Sequence, residues 1–248
     1  MNCEKKYEMT EEVLQIYGRT LRRIRALKNF ADVKIGDLGG FIEKDENLSH
    51  IGDSWIYGDA KVYDNARISG NAWVYDNARI YDNARISDNA RIFGNACIYD
   101  NARIYDNARI SDNARIFGNA CISGNACIFG NARVYDDVRV FGNVQVYGNA
   151  CISGNAWVSG NAQVYGNAWV SGDAHVAAKE CIFWIGAIGS RNGTTTFFNC
   201  KDGKIRVSCG CFYGDLDEFL KAVNKTHGDN EYGQVYRIAI EMARIRIR

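Results

Sequence analysis

The stretch Asp76-Asn77-Ala78-Arg79-Ile80-Tyr81, followed at once by Asp82-Asn83-Ala84-Arg85-Ile86-Ser87, decides how this chain folds. It is one unit, [GD]-N-A-x-[IV]-x, written twice, and working outward from it the unit recurs without a gap. Every sixth residue from Ile56 to Val176 is Ile or Val, an unbroken run of 21. Two positions earlier stands a small residue, from Ser54 and Ala60 to Ala174, broken only by Val138 and Val144. Along an extended chain, alternate side chains point to opposite faces. Ala78 and Ile80 therefore face one way, and Arg79 and Tyr81 the other. The Asp-Asn or Gly-Asn pair turns the chain, because these residues tolerate left-handed backbone angles at low cost. A period of six does not fit the 3.6-residue helical repeat. Three short strands per coil give a triangular prism. The 21 units make about seven coils and a rod of roughly 34 Å.

Stacking sets residues 18 apart above one another, so Asn65, Asn83, Asn101 and Asn119 form a column whose amides can hydrogen-bond along the rod. An ionised Asp only accepts and cannot pass such a ladder on. Asp53, Asp59 and Asp173 hold this position near the two ends. Asp137 is the interior exception, beside the two Val exceptions, and predicts a local irregularity. Outward positions form aromatic columns such as Tyr63, Tyr81, Tyr99, Phe117 and Tyr135, with arginines alongside. These columns are either self-stacking ladders or surfaces for self-association or a partner. Stacking on single-stranded nucleic acid is a third reading, opposed by turn aspartates such as Asp76, Asp82 and Asp100 that would repel phosphate.

The unit resembles the hexapeptide repeat of left-handed β-helix proteins and is similar to GNA-type solenoids of bacterial and bacteriophage proteins. The left hand of the coil is what that resemblance implies. Acyltransferases with this repeat are trimers with a catalytic His at a subunit interface and an excursion loop. This solenoid has no such loop, and its one histidine, His175, sits in the last unit. Hexapeptide carbonic anhydrases bind metal with three histidines; here His50, His175 and His227 lie in different segments.

The chain of 248 residues has no proline, 47% hydrophobic residues and a formal net charge of +1. The near-zero charge argues against a general nucleic-acid binder. No apolar run reaches the length of a membrane span, and the polar start through Met9 does not read as a signal peptide. Nine cysteines without a disulfide-framework spacing predict a reduced, cytoplasmic setting, that of the host cell if the protein is phage-encoded.

Both solenoid ends need covers. Residues 1–53 read as an N-terminal cap: a short helix over Thr10–Ile16, a strand over Leu21–Leu27, a turn at Gly36–Gly40. The solenoid spans 54–180. Residues 181–248 read as a small α+β domain with strands over 181–188, 194–198 and 204–208. Its first helix is capped by Asp215 and Glu218 and carries Leu216, Phe219, Leu220 and Val223. A second begins near Asp229 or Asn230 and carries Tyr232, Val235, Tyr236, Ala239, Met242 and Ala243.

The candidate ligand-binding residues are Ser190, Arg191, Asn192, Thr194, Thr195, Thr196, His227 and Asp229, which offer hydroxyls, amide groups and a guanidinium to an anion. The alternative is a charged hairpin and ordinary helix ends. A zinc site from Cys200, Cys209, Cys211 and His227 lacks the usual C-x₂-C spacing; a Cys–His nucleophile pair is the remaining option. No catalytic residue, metal or cofactor is expected. The end-capped solenoid with its loop arginine, Gly-rich turn and helix ends loosely resembles phage and prophage accessory proteins. Arg191 with Thr194 to Thr196 and His227, in a domain outside the repeat, points to a non-catalytic binding protein. Its ligand would be a small anionic, nucleotide-like molecule or a host protein, as in a sponge or inhibitor of a defence signal. Nucleic acid and membrane are not expected as partners; a homo-oligomer is. A structural surface or fibre component and a hexapeptide-type acyltransferase are the other readings.

Overall fold

A computed structural model describes residues 4–248; the first three residues of the N-terminal cap, Cys3 among them, lie outside the described residues. The chain is a parallel β-solenoid with a covered end at each side. Its 21 two-residue strands, β4 (Trp55–Ile56) to β24 (His175–Val176), follow one another at six-residue intervals. All but the last three pair in parallel with the strand 18 residues on, Arg91 on Arg109 and Ile92 on Ile110 for example. The small residue and the Ile or Val of every unit are buried, and together they form one continuous core.

The turns use the two-residue pair in a fixed division of labour. The first residue takes the left-handed conformation, with φ between 57° and 62° at Asp64, Asp76, Asp82, Asp88, Asp100, Asp106, Asp112 and Asp136. Many of these carboxylates also accept the backbone N–H of the next coil, as Gly94 N donates to Asp76 Oδ2 at 2.9 Å and Gly118 N to Asp100 Oδ2 at 3.0 Å. The second residue supplies the amide ladder. Asn71, Asn89, Asn107, Asn125, Asn143 and Asn161 are linked Nδ2 to Oδ1 at 2.9–3.2 Å.

The irregularity expected at Asp137 does not appear in the strands: Arg139–Val140 and Gln145–Val146 keep their parallel register. The larger Val138 and Val144 are accommodated because the neighbouring core positions Val134, Val140 and Val146 are themselves one methylene smaller than Ile. What Asp137 does interrupt is the ladder. It accepts from Asn119 at 2.8 Å, and among the described residues no bond passes on to Asn155.

The outward rings stack on each other. Tyr63, Tyr81, Tyr99, Phe117 and Tyr135 lie nearly parallel with centroids 4.9–5.0 Å apart. Tyr57, Tyr75 and Phe93 do the same at 4.5 and 4.9 Å. Arginine joins such a surface over Trp73, where the Arg91 guanidinium sits 5.0 Å from the ring.

The solenoid has about eight turns rather than seven. The extra turn has no repeat motif: β3 (Leu38–Ile42) lies parallel on β5 (Lys61–Val62), and Leu48 bridges to Ile68. One of the three sheets thus has eight levels, from β3 to β23 (Trp169–Val170). The Gly36–Gly40 turn is therefore only partly a turn. Gly39 and Gly40 belong to β3, where a Cβ would come within 2.7 Å of Ile56 O and 2.5 Å of Ala60 O, so only glycine lets β3 sit this close.

The helix expected over Thr10–Ile16 is a strand. β1 (Tyr7–Ile16) pairs antiparallel with β2 (Arg19–Ala26) through the two-residue turn Tyr17-Gly18, with φ of 48° and 77°. Leu14, Ile16 and Tyr81 pack on Leu21, Phe41 and Tyr63, and this tertiary contact overrides the local pattern. The open coil is plugged by Lys6, whose ammonium donates to Ser54 O at 2.7 Å and Gly52 O at 3.2 Å. Burial lowers its pKa to about 8.

At the other end, β25 (Ile182–Ile188), β26 (Gly193–Asn199), β27 (Ile205–Cys209) and β28 (Phe212–Asp215) form an antiparallel meander. Strand β28 occupies a stretch expected to be only a lead-in to the helix. One face of the sheet closes the solenoid: Phe198 joins its core, Trp169 N donates to Thr196 Oγ1 at 3.0 Å, and Lys201 N donates to Asp173 O at 3.2 Å. The other face packs Ile188, Phe197 and Val207 under helices α1 (Leu216–His227) and α2 (Glu231–Arg246). The capping box at Asp215 and Glu218 is present with both bonds, at 2.9 and 2.8 Å. Asn230 caps α2 by accepting from Gly233 N at 3.0 Å. Among the described residues no helix is long and apolar enough to cross a membrane.

Candidate functional site

A cleft of about 260 Å³ opens over the helix-covered face of the C-terminal sheet. Two turns make its rim. In the β25–β26 turn, Asn192 N donates to Gly189 O at 3.1 Å, and this sets Ser190 and Arg191 on the cleft's edge. The β27–β28 turn, with Gly210 at φ 60°, brings Cys209, Cys211 and Phe212 to the opposite edge. Helix α1 contributes Phe219, Val223, Thr226 and His227, and α2 contributes Tyr236.

The walls are aromatic. Phe212 lies 5.0 Å from Phe219, Phe219 meets Tyr236 edge-on at 5.5 Å, and Tyr236 lies 5.6 Å from His227. The Tyr236 hydroxyl is seated against Gly189, where a Cβ would meet it at 1.8 Å. Burial raises the Tyr236 pKa to about 12; the hydrogen bond it shares with the Cys209 sulfur acts the same way, and nearby Arg191 acts against it. Tyr236 is thus a neutral hydroxyl near neutral pH. The thiol of Cys209 also accepts from Thr195 Oγ1 at 3.1 Å.

The cleft lining contains one arginine, one histidine and the hydroxyls of Ser190, Thr194, Thr226 and Tyr236, but no carboxylate. Among the described residues Arg191 has no hydrogen-bond or ion-pair partner, so its guanidinium is available to an anion. A site of this kind can hold a flat ring against its walls and a negative group at its rim.

Of the eight residues that the sequence suggests, Ser190, Arg191, Thr194 and His227 come together here. The other four do not line the cleft. Thr196 faces the solenoid and bonds Trp169 N, while Thr195 is buried with its hydroxyl on Cys209. Asn192 closes the rim turn through its backbone, and Asp229 pairs with Arg237 at 3.2 Å. The sequence reading missed Phe212, Phe219, Val223 and Tyr236 as site residues. They bear the apolar signal of a core, and only the strand between Phe212 and Asp215 turns them into a wall.

Cys200 is buried toward the solenoid, bridging in backbone to Ala174, whereas Cys209 and Cys211 lie at the cleft. Among the described residues no three His, Cys, Asp or Glu are grouped to hold a metal ion, and no hydrogen bond joins a cysteine to His227. His50 stacks on Tyr7 at 4.4 Å in the N-terminal cap, and His175 lies outward beside Trp157 at 5.8 Å. A larger, open groove of about 820 Å³ lies at the junction with the solenoid, between Tyr165, Trp184, Lys179 and Arg246, and it includes Glu180.

Residues 60–76, 78–92, 84–100, 108–124, 132–146, 144–160 and 162–177 match the family model of the YdcK β-solenoid repeat. All of these segments lie in the solenoid, and the cleft lies outside them. No curated protein matches the chain.

Proposed function

We propose that this is a non-catalytic binding protein in which the solenoid is a rigid rod and the C-terminal cleft holds a small anionic, nucleotide-like ligand. The observation that carries the reading is the cleft's composition: a free guanidinium and several hydroxyls over an aromatic wall, with no carboxylate in the lining. A ring would lie against Phe212, Phe219 and Tyr236, and its phosphate or carboxylate would meet Arg191 at the open rim. The volume lies just below the roughly 300 to 1,000 Å³ of most ligand sites, and suits one compact molecule. Such a protein would act by sequestering its ligand, and a bacteriophage product that removes a nucleotide defence signal is one case of this.

Calorimetry with adenine and guanine mononucleotides and with cyclic mono- and dinucleotides tests the proposal on the full chain. Binding by the wild type, weakened about tenfold or more by Arg191→Ala with an unchanged melting temperature, is the expected result. Recovery of the ligand unaltered after denaturing the complex separates a sponge from an enzyme. Absence of binding across the panel overturns the ligand reading. The solenoid as a self-assembling structural element is less supported, because its aromatic rings are already stacked on one another within the chain.

A further inference from the structure

The two C-terminal helices are built differently. Helix α1 is amphipathic in the ordinary way, with Phe219 and Val223 buried and Asp217, Glu218, Lys221 and Lys225 on its outer side. Helix α2 buries Tyr236, Ala239, Ile240 and Ala243 against the sheet and α1, yet it carries a second apolar stripe pointing away from them. Val235, Ile238, Met242 and Ile245 follow the 3-4-3 spacing of one helical face, and they are 38%, 60%, 41% and 71% exposed. A helix apolar on both sides is normally covered on both.

We infer that the covering element is the same stripe of a second copy of this chain, packed antiparallel about a two-fold axis. Charge selects the occupant and its direction. Glu231 stands at one end of the stripe and Arg246 at the other, and among the described residues neither has an ion-pair partner. Antiparallel pairing sets Val235 against Ile245, Ile238 against Met242, and brings Glu231 near Arg246 of the second copy, twice over by symmetry. Parallel pairing would put like charges together at both ends. The helix N-terminus of one copy then also meets the C-terminus of the other, which favours the same direction. A helix pair of this length buries less than the roughly 800 Å² per partner of a standard interface, so the dimer is expected at micromolar rather than nanomolar concentration. The stripe lies on the opposite side of α2 from Tyr236, so dimerisation leaves the cleft unaltered and does not depend on what it binds.

Sedimentation velocity on the full chain, from about 1 to 500 μM, tests this. A monomer–dimer equilibrium is expected. Ile238→Asp should raise the dimer dissociation constant about 100-fold or more without changing the circular dichroism or the melting temperature, since the side chain is already exposed. Glu231→Arg and Arg246→Glu should each weaken the dimer about tenfold, and an equimolar mixture of the two variants should restore it, because opposite charges then meet at both ends. A monomer at every concentration, association unmoved by Ile238→Asp, or a mixture no tighter than its components would overturn the inference.

Discussion

The solenoid and the C-terminal domain are opposite in how they use side chains. In the solenoid each role is filled over and over: Ala and Ile in the core, Asp or Gly at the left-handed turn position, Asn in the ladder, rings stacked outside. Those contacts account for five of the six repeated positions; the sixth, the outward strand position often held by arginine, has a ring contact at Arg91. In the C-terminal domain each residue has a single job, and Arg191 has none within the chain. Repetition makes the rod stable; the candidate site lies where the repeat stops.

The comparison can be broken first at the rod's core. Ile110→Asp places a carboxylate among fully buried Ala and Ile side chains with no partner within reach. It should cost more than about 4 kcal/mol and abolish cooperative folding of the solenoid, read as loss of the far-ultraviolet dichroism band. The joint between the two regions comes next. Phe198 is fully buried against the last coil, and Phe198→Ala should cost about 3–5 kcal/mol. Thermal unfolding should then separate into two transitions, the C-terminal domain first. A single unshifted transition would show that the sheet is not the solenoid's cover.

The repeat was legible because one hexapeptide states the whole geometry and then restates it. What escaped the sequence lacked that redundancy. Leu38–Ile42 and Leu48 wind an eighth turn without the motif, and it is Gly39 and Gly40, spaced for backbone contact, that carried the missed signal. The strand over Tyr7–Ile16 depends on its partner across the Tyr17-Gly18 turn, which a seven-residue window does not contain. In the candidate site, Arg191 and His227 are readable as chemistry, but Thr194, Thr195 and Thr196 read alike in the sequence. Strand alternation divides them: Thr195 turns toward Cys209 and Thr196 toward the solenoid.

The N-terminal plug gives a pH-dependent contrast with the neutral core beside it. Lys6 has a pKa lowered to about 8 in the folded chain, chiefly by burial, against 10.5 when exposed. Below pH 8 both states are protonated and the penalty for burying the charge is fully present. Between about pH 8 and 10.5 the unfolded chain holds the proton that the folded chain has lost, so stability of the cap rises with pH, by at most about 3 kcal/mol. Above about pH 10 the opposite sign sets in, because burial raises the pKa of Tyr7 and raises that of Tyr63 to about 12. Hydrogen exchange in the β1–β2 hairpin, corrected for intrinsic rates, should therefore show greatest protection near pH 10, and Lys6→Met should remove the rise below it. An unchanged profile in the variant would assign the effect elsewhere.

The smallest effect tests whether the amide ladder stabilises the rod or only accompanies it. Asn107 sits mid-column, accepting from Asn89 and donating to Asn125, both at 3.2 Å. Asn107→Asp keeps the first bond and loses the second, the situation that already exists at Asp137. The reverse change, Asp137→Asn, supplies the missing donor toward Asn155, which itself donates to Asp173 at 3.4 Å. The two substitutions should shift stability in opposite directions by about 0.5–1.5 kcal/mol, or roughly 2–4 °C in melting temperature. If both destabilise, the side chains are tuned to their own coils; if neither moves the melting temperature, backbone pairing and the Ala–Ile core carry the rod unaided. Opposite signs would mean that the ladder is a real part of the rod's cohesion, interrupted at Asp137 at a measurable cost.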